Sequence, residues 1–421
     1  MPLLETIPEF RTLAPGVEFL ALPDARFKRV LLKIAFDSPL DGRSPARTLL
    51  LPVLEQGSAP HPSRRRLTCA LEELFGAVLH LGGDRVAELH RISVHLEWVG
   101  ERFLPADAGV AEGLLDLARE ILEQPLRGEA GQPFPPGTLE REREQLIRQI
   151  RSRADDRDRY AQEQFLRTMC AGEPYGRPPY GTEEEVARLD GGTLETVRRD
   201  LLGTCPVTVI AVGPFSPARM EAALREWFDP RPGRPAAARR EPPRPQAVQP
   251  AELRTVREQL PVDQARFLFG FRFPPPTVAG DMEAHSLASG VLGGGPHSLL
   301  FREVRERSSL AYGIGSSLRM LKGILVVSAG IDEDSFGKVQ GEVLHQIERL
   351  RSARVSMEEI EPARLVLLDH LESAGDSGRR LANFHLRERL LGTRRSPAQR
   401  AAALQALGPE DLARAADLWK P

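Results

Sequence analysis

Apolar positions in the first quarter of the chain predict a strand, two helices and a second strand. Residues 27–42 (FKRVLLKIAFDSPLDG) form a β-branched, apolar run that ends at a proline turn, which is typical of a buried strand. The next apolar run, 46–58, has the length and pattern of a helix, and the basic segment 63–76 predicts a helix that closes at Phe75-Gly76. Residues 91–99 (RISVHLEWV) predict another strand.

The same order of elements recurs in the second half of the chain. The corresponding segments are a strand at 264–280, a helix at 284–296, a basic helix at 298–313 and a strand at 323–331. Matching residues keep one offset of 237, in the pairs Arg29/Arg266, Phe36/Phe273, Pro39/Pro276, Gly57/Gly294 and Phe75-Gly76/Tyr312-Gly313. A constant offset over this length predicts an internal duplication, and the alternative is a chance alignment of two α+β domains.

A proline-rich segment separates the two repeats. Residues 229–250 (DPRPGRPAAARREPPRPQAVQP) lack apolar periodicity, and prolines favour an extended spacer. We therefore expect an N-terminal domain over 1–228 and a C-terminal domain over 251–421. Because strands and helices alternate without a strict β-α-β order, the predicted fold class is α+β. Further helices are predicted at 137–170, 216–228 and 357–373.

The composition is that of a globular protein without a bias towards nucleic acid or membrane. The chain has 421 residues and a net charge of -2, which provides no general attraction to nucleic acid or to an anionic membrane. Cys69, Cys170 and Cys205 are far apart and support neither a disulfide framework nor a cysteine zinc site. No signal peptide is evident, and no run approaches the roughly 18 apolar residues of a membrane span, so we expect a cytoplasmic protein.

Three consecutive glycines, Gly293, Gly294 and Gly295, precede the second basic segment and raise the question of a phosphate site. A P-loop requires GxxxxGK[ST], and no lysine follows these glycines. A dinucleotide fingerprint requires GxGxxG directly after a strand, whereas these glycines follow a predicted helix. Two interpretations stay open: a helix C-cap with a tight turn, and a stretch of backbone that an extended ligand can approach closely.

The segment LGGGPHSLLFREVRERSSLAYGIGSS (292–317) closely resembles the C-terminal-domain signature of the M16 peptidases, the family of insulinase, pitrilysin and the mitochondrial processing peptidase. The resemblance covers essentially the whole chain and is strongest at 286–318 and 46–80. It implies two homologous α+β domains, each a mixed or antiparallel sheet flanked by helices (LuxS/MPP-like), arranged as half of a clamshell. In active members, zinc is held by HxxEH on a helix of the N-terminal domain and by a Glu of a later helix.

The resemblance also implies a substrate-binding role for an arginine and a tyrosine that lie seven residues apart. Arg305 and Tyr312 have this spacing in REVRERSSLAY. The guanidinium can bind a peptide carbonyl, and the hydroxyl can donate to a carbonyl or a developing oxyanion. The turn at Gly293, Gly294 and Gly295 resembles the substrate-facing loop of the family. The alternative interpretations are a solvated helix face for Arg305 and a core position for Tyr312.

The zinc motif is not preserved. When the segment is aligned on Gly57, the positions of the first His, the Glu and the second His are occupied by Thr48, Leu51 and Pro52. None of these side chains ligates zinc or transfers a proton in catalysis. The later Glu ligand aligns with Gln149 in EREREQLIRQI, and a neutral amide oxygen is a poor zinc ligand. We therefore expect neither catalytic residues nor a cofactor in this chain.

The 9 histidines offer no replacement zinc site, because HxxEH and HxxxH are both absent from the sequence. His90 and His95 lie five residues apart in a predicted strand and should point to opposite faces. The HLE at 95–97 matches the HxE of deaminases, but no PCxxC follows it.

The resemblance implies a non-catalytic subunit that pairs with a homologous chain carrying HxxEH and zinc, and that positions an extended peptide at a sheet edge. Without such a partner, the oligomeric state stays open, and a homodimer is one alternative. One alternative is a peptide-binding scaffold with no proteolytic partner, and another is an enzyme whose acid–base groups are Glu72, Glu73 or Asp84. Residues 50–77 also resemble a bacterial subgroup of inactive partners associated with modification of elongation factor P.

Overall fold

Each half of the chain forms a β-sheet with helices, over the residues 9–106, 108–229, 253–260, 264–276 and 281–421 that the computed structural model describes. The N-terminal half contains, in order, β1 (Arg11–Ala14), β2 (Val17–Pro23), β3 (Arg29–Pro39), α1 (Ser44–Leu54), α2 (Arg64–Glu73), β4 (Val78–Val86), β5 (Leu89–Val99), α3 (Val110–Glu123), α4 (Pro136–Asp155), α5 (Arg157–Met169), α6 (Glu183–Ala187), α7 (Gly191–Thr204), β6 (Val207–Gly213) and α8 (Pro217–Phe228). The C-terminal half contains β7 (Ala265–Arg272), α9 (Asp281–Gly293), a π-helical turn (Phe301–Arg307), β8 (Ala311–Arg319), β9 (Ile324–Ile331), α10 (Phe336–Arg351), α11 (Met357–Ala374), α12 (Gly378–Leu390), α13 (Pro397–Gln405) and α14 (Pro409–Asp417).

The sheet topology confirms the predicted α+β fold class. Within the described ranges, the first sheet has the strand order β1-β2-β6-β3-β5-β4 and the second has the order β7-β9-β8. β2 and β6 are parallel, whereas every other neighbouring pair is antiparallel, so the first sheet is mixed and the second is antiparallel. β4 and β8 are edge strands.

Each sheet has its own hydrophobic core on one face. The first core contains Trp98 and Phe36 together with apolar residues of α1, α3, α7 and α8. The second core contains Phe271 and Trp419 together with apolar residues of α9, α10 and α14. Each of these four large side chains is at most 2% exposed, and burial of such a side chain stabilises the fold by roughly 1.5–3 kcal/mol.

The opposite face of each sheet is covered by a helix from the other half of the chain. Three residues of α12, namely Leu381, Ala382 and Leu386, pack against β2, β3 and β6 of the first sheet. In turn, Phe165 and Met169 of α5 pack against β7 and β9 of the second sheet. The two halves are therefore joined by a reciprocal exchange of helices.

A buried ion cluster joins the two halves at the same boundary. The Lys322 ammonium of the C-terminal half binds the carboxylates of Glu88 and Glu173 of the N-terminal half, with a distance of 2.6 Å to Glu173. Arg272 of β7 also binds Glu173, and its guanidinium donates to the Met169 carbonyl at 2.8 Å. Burial disfavours the charged lysine, but the hydrogen bonds to Glu173 and Glu88 outweigh it and raise the pKa of Lys322 above 10.5.

Two predicted helices were wrong in extent. The helix predicted at 137–170 breaks into α4 and α5, because Asp156 leaves the helical conformation and its carboxylate accepts the Arg159 N–H at 3.1 Å as the N-cap of α5. The helix predicted at 298–313 is helical only over 299–307. Ser309 has a φ of 50°, which ends the helical path, and β8 begins at Ala311.

The other predicted elements appear close to their expected places. The predicted helices 216–228 and 357–373 are α8 and α11, and Ser216 accepts the Arg219 N–H as the N-cap of α8. Apart from Asp229, the predicted linker 229–250 lies outside the described residues, and the domain boundaries stay a prediction. None of the described helices is both long enough and apolar enough to cross a bilayer.

The ion cluster should contribute measurably to stability. In Lys322→Met, Glu88 loses the cation that it binds and Glu173 keeps only Arg272, so the free energy of unfolding should fall by about 3 kcal/mol in urea denaturation. The matched control is Lys338→Met, which removes an exposed lysine from α10 and should change stability by less than about 0.5 kcal/mol. Equal effects of the two substitutions would show that the cluster does not stabilise the fold.

Stability should also fall in mild acid through His285. This residue is 1% exposed, its Nδ1 accepts the Trp419 indole N–H at 2.9 Å, and burial lowers its pKa from 6.5 to about 4. The unfolded chain therefore binds more protons between these two pH values, so stability is lost as the pH falls below 6.5. We expect the melting temperature of His285→Gln to depend less on pH between 7 and 5 than that of the wild type, whereas His345→Gln, on an exposed part of α10, should follow the wild type.

Candidate functional site

The junction between the π-helical turn and β8 carries the two residues predicted to bind substrate. Arg305 lies in the turn and Tyr312 is the second residue of β8. A hydrogen bond of 2.8 Å from the Leu310 N–H to the Val304 carbonyl closes the connection between them. The structure therefore places Arg305 and Tyr312 on two adjoining elements at one end of the edge strand β8.

Arg305 is exposed and has no ion pair among the described residues, unlike its neighbours. Arg302 binds Glu359 at 2.6 Å, and Arg307 binds Glu303 at 2.7 Å. The Arg305 guanidinium instead lies over the Phe301 ring, 4.6 Å from its centroid. This contact restricts the side chain, but the N–H groups at the edge of the guanidinium can still donate hydrogen bonds. This position is compatible with both interpretations of Arg305, a solvated helix face and a peptide-binding group.

Tyr312 is 61% exposed, so the alternative of a core position was wrong. Its hydroxyl donates to the Asp332 carboxylate at 3.0 Å, and Asp332 directly follows β9. This hydrogen bond raises the pKa of Tyr312 above 10.0, so the phenol stays protonated at neutral pH. The oxygen of the held hydroxyl can still accept a hydrogen bond from a ligand N–H.

The three glycines lie where α9 passes under β8. A Cβ on Gly293 would lie 2.5 Å from the Ser316 nitrogen of β8, so only glycine allows this approach. Ser289 and Ser316 are also joined by a hydrogen bond of 3.0 Å. Gly293 is buried, whereas Gly294 is exposed and Gly295 has a φ of 149°. Gly293 thus allows β8 to pack closely against α9, and contact of the glycine turn with substrate stays a prediction.

The positions aligned with the zinc motif lie on α1 and α4, which pack against each other. The Thr48 hydroxyl lies within hydrogen-bonding distance of the Ser44 and Pro179 carbonyls, at 3.1 and 3.0 Å. Leu51 is 7% exposed and belongs to the first core. Pro52 has no side-chain donor atom, and Gln149 on α4 is exposed.

These residues do not fit a zinc ion. Zinc sites in proteins use imidazole, thiolate or carboxylate groups, and none of the four positions provides one. Across the described ranges, no three His, Cys, Asp or Glu side chains are grouped so that they could hold a metal ion. These four positions therefore cannot hold a catalytic zinc ion.

The edge strand β4 was not predicted from the sequence, and it carries a contact of functional interest. The Glu55 carboxylate, at the end of α1, accepts the backbone N–H of Leu81 at 2.7 Å and also binds His80 at 3.0 Å. Val78 at the start of β4 is 43% exposed. Gly82-Gly83 interrupts the alternating pattern of this segment, which is why no strand was predicted there.

The histidines of β5 and the carboxylates once considered for acid–base chemistry do not form a common site with Arg305 and Tyr312. His90 and His95 lie on β5, and burial lowers their pKa values to about 3 and about 4. His95 pairs with His80 across the sheet, whereas His90 lies near Leu51 of α1, which confirms their opposite faces. Glu72 and Glu73 on α2 and Asp84 on β4 are exposed carboxylates, as in a solvated surface.

Comparison with known proteins gives consistent matches. Residues 206–367 match the family model described as the peptidase M16 inactive domain. The "Probable inactive metalloprotease YmfF" of Bacillus subtilis is 26% identical over 361 residues, which is 85% of this chain and 83% of that protein. The "Uncharacterized zinc protease ML0855" of Mycobacterium leprae is 31% identical over 190 residues, 43% of this chain and 40% of that protein.

Solved structures share the fold over nearly the full length. A conserved protein from Enterococcus faecalis V583 superposes with a TM-score of 0.86 and 24% identity, over 99% of this chain and 97% of that chain. The peptidase M16 inactive domain from Pseudomonas fluorescens superposes with a TM-score of 0.78 and 18% identity, over 97% of this chain and 94% of that chain. Residues 206–367 therefore match the peptidase M16 inactive domain, and the chain as a whole is similar in sequence to a probable inactive metalloprotease and in fold to M16-like structures.

Proposed function

We propose that this protein is the non-catalytic, substrate-binding subunit of a two-chain M16 metallopeptidase. The observation that carries the proposal is a contrast between two sets of residues. The groups that could bind a peptide, Arg305 and Tyr312, are exposed, whereas the metal positions are filled by Thr48, Leu51, Pro52 and Gln149. A homologous chain with HxxEH would supply the zinc and the catalytic base. The name of the Bacillus subtilis relative, a probable inactive metalloprotease, supports the loss of catalysis in this chain.

The charge pattern around Arg305 favours a role in binding rather than in folding. The arginines on either side of it are already neutralised by Glu359 and Glu303, and the guanidinium of Arg305 is the one in this turn that has no carboxylate in the described structure. An N–H pair of Arg305 can therefore donate to a peptide carbonyl without breaking an existing ion pair. A charge-assisted hydrogen bond of this kind contributes about 1.5–3 kcal/mol.

Tyr312 is held in place for a complementary contact. Asp332 fixes the hydroxyl by accepting its hydrogen bond, and the phenol oxygen then presents a lone pair beside the start of β8. Extended peptides display alternating N–H and C=O groups, so one peptide can engage the guanidinium and the phenol together. Such backbone contacts give affinity with loose sequence selectivity.

The metal content of the isolated chain provides one test of this proposal. Because Thr48, Leu51, Pro52 and Gln149 provide no ligand set, the purified chain should retain much less than one zinc per protein after dialysis against micromolar zinc, as measured by elemental analysis. The chain alone should also leave a quenched fluorogenic peptide uncleaved. Stoichiometric zinc together with cleavage by the isolated chain would contradict the proposal.

Another test concerns the two binding residues in the presence of an HxxEH-bearing M16 chain from the same organism. Cleavage of the fluorogenic peptide should require both chains and should stop when a chelator is added. Arg305→Ala should raise KM by about tenfold or more, and Tyr312→Phe should raise it by a smaller factor, because each change removes a hydrogen bond to the substrate.

The matched control for Arg305→Ala is Arg307→Ala. It removes an exposed arginine of the same turn that is already paired with Glu303, and KM should stay within about twofold of the wild type. Equal effects of the two arginine substitutions would argue for a general electrostatic role. Peptide binding without any cleavage in the presence of the partner would favour a scaffold and would contradict a peptidase subunit.

A further inference from the structure

Three basic side chains form one row across the outer face of the first sheet. Lys33 of β3 pairs in register with His95 of β5, and His95 pairs in register with His80 of β4. Leu31 and Ala35 lie two residues on either side of Lys33 and pack against α12, so the row is on the face opposite the first core. We call Lys33, His95 and His80 the basic row.

Lys33 is a buried lysine without a counter-charge. It is 5% exposed, and its ammonium donates to the neutral side-chain oxygen of Asn383 at 2.9 Å. Within the described residues no carboxylate forms an ion pair with it, whereas the similarly buried Lys322 binds two. Burial accordingly lowers the pKa of Lys33 from 10.5 to about 8, while the pKa of Lys322 is raised. A dehydrated ammonium with one neutral acceptor is stabilised by an added anion.

Most carboxylates near the basic row are already paired. Asp37 accepts two hydrogen bonds from Arg91, at 2.6 and 2.7 Å, and Glu97 binds Arg29 at 2.7 Å. Asp84 of β4 is exposed and has no ion pair in the described part of the chain. The positive charge of the row is therefore only weakly compensated from within the protein.

Arg379 of α12 adds a further positive charge beside the basic row. Its side chain is 62% exposed and lies 3.9 Å from the Glu97 carboxylate. Burial is the main cause that lowers the pKa of His95 to about 4, and the charges of Lys33 and Arg379 lower it further. His95 is therefore neutral at pH 7 and serves as a hydrogen-bond donor rather than as a charge.

The two imidazoles of the row face one open space over Gly82. A Cβ on Gly82 would lie 3.8 Å from the Nε2 atoms of both His80 and His95 and would meet nothing closer. The Nδ1 of His80 binds the Glu55 carboxylate at 3.0 Å, whereas the Nδ1 of His95 is buried without a partner in the described structure. Because a buried N–H without an acceptor is costly, the proton of His95 belongs on Nε2, which can donate to a ligand in this space.

We propose that the basic row binds an oxyanion, the carboxylate or phosphate group of a ligand, in the space over Gly82. His95 donates from Nε2, and so does His80 when it is protonated. Lys33 supplies positive charge from the neighbouring strand, and Arg379 supplies it from α12. A second negative group on the ligand would meet Asp84, which lies two residues further along β4 on the same face.

A metal ion fits this space less well than an anion. Two imidazole nitrogens are common metal ligands, but the charges of Lys33 and Arg379 repel a cation. In the described ranges there is also no third His, Cys, Asp or Glu that completes a metal-binding group.

The test uses the full chain, isotope-labelled in its histidine rings and titrated separately with inorganic phosphate and with glutarate at constant ionic strength. The NMR signals of His80 and His95, assigned from His80→Gln and His95→Gln, should shift saturably with a dissociation constant of about 10 mM or tighter. Lys33→Met should raise this constant about fivefold or more, because it removes a charge that water screens poorly. Lys338→Met removes the same charge from an exposed part of α10 and should stay within about twofold of the wild type.

Gly82→Val keeps the test decisive if Lys33→Met does not fold. Its Cβ meets the imidazoles at 3.8 Å, an ordinary contact, so the fold should tolerate it, while its methyl groups fill the space between the rings and should abolish the saturable shift. Saturation by glutarate alone assigns the site to carboxylates, by phosphate alone to phosphates, and by both to oxyanions in general.

The proposal is wrong if neither probe gives a saturable shift, if Lys33→Met and Lys338→Met weaken binding equally, or if Gly82→Val binds as the wild type does. The titration needs neither a peptide nor a partner chain, and the site does not include Arg305 or Tyr312. Its outcome is therefore independent of the proposed function.

Discussion

Neither sheet of this protein can be covered on both faces by its own half of the chain, and the exchange of α5 and α12 solves this problem. Each helix buries apolar side chains against the sheet of the other half, and the Lys322 cluster lies at the same boundary. The stability of one half therefore depends on the presence of the other.

The duplicated architecture could be predicted because it leaves local signs in the sequence. Buried strands such as β3 and β7 are continuous apolar runs, and an ancestral duplication keeps equivalent residues at one offset. β4 and β8 were harder to predict, because glycines and exposed polar residues obscure the alternation of apolar and polar side chains along these strands. The break at Asp156 depends on a capping hydrogen bond that competes with a favourable helical pattern, and the pattern alone favours one long helix.

The candidate site divides in the same way. The absence of zinc ligands follows from the identity of Thr48, Leu51, Pro52 and Gln149, and no three-dimensional information is required to predict it. The exposure of Tyr312 and its bond to Asp332 depend on how β8 and β9 pair, which the sequence does not reveal.

The carboxylate of Glu55 has a consequence for the outer edge of the first sheet. It accepts the hydrogen bond of the Leu81 N–H, which would otherwise donate to a carbonyl of an added strand. The carbonyl of an incoming strand would have to replace this carboxylate as the acceptor. That carbonyl is neutral and therefore a weaker acceptor, and the strand would also have to approach a negative charge. Edge-to-edge growth of β4 into a continuous sheet between molecules is therefore opposed, so the protein keeps an open edge without the aggregation that an unguarded one invites.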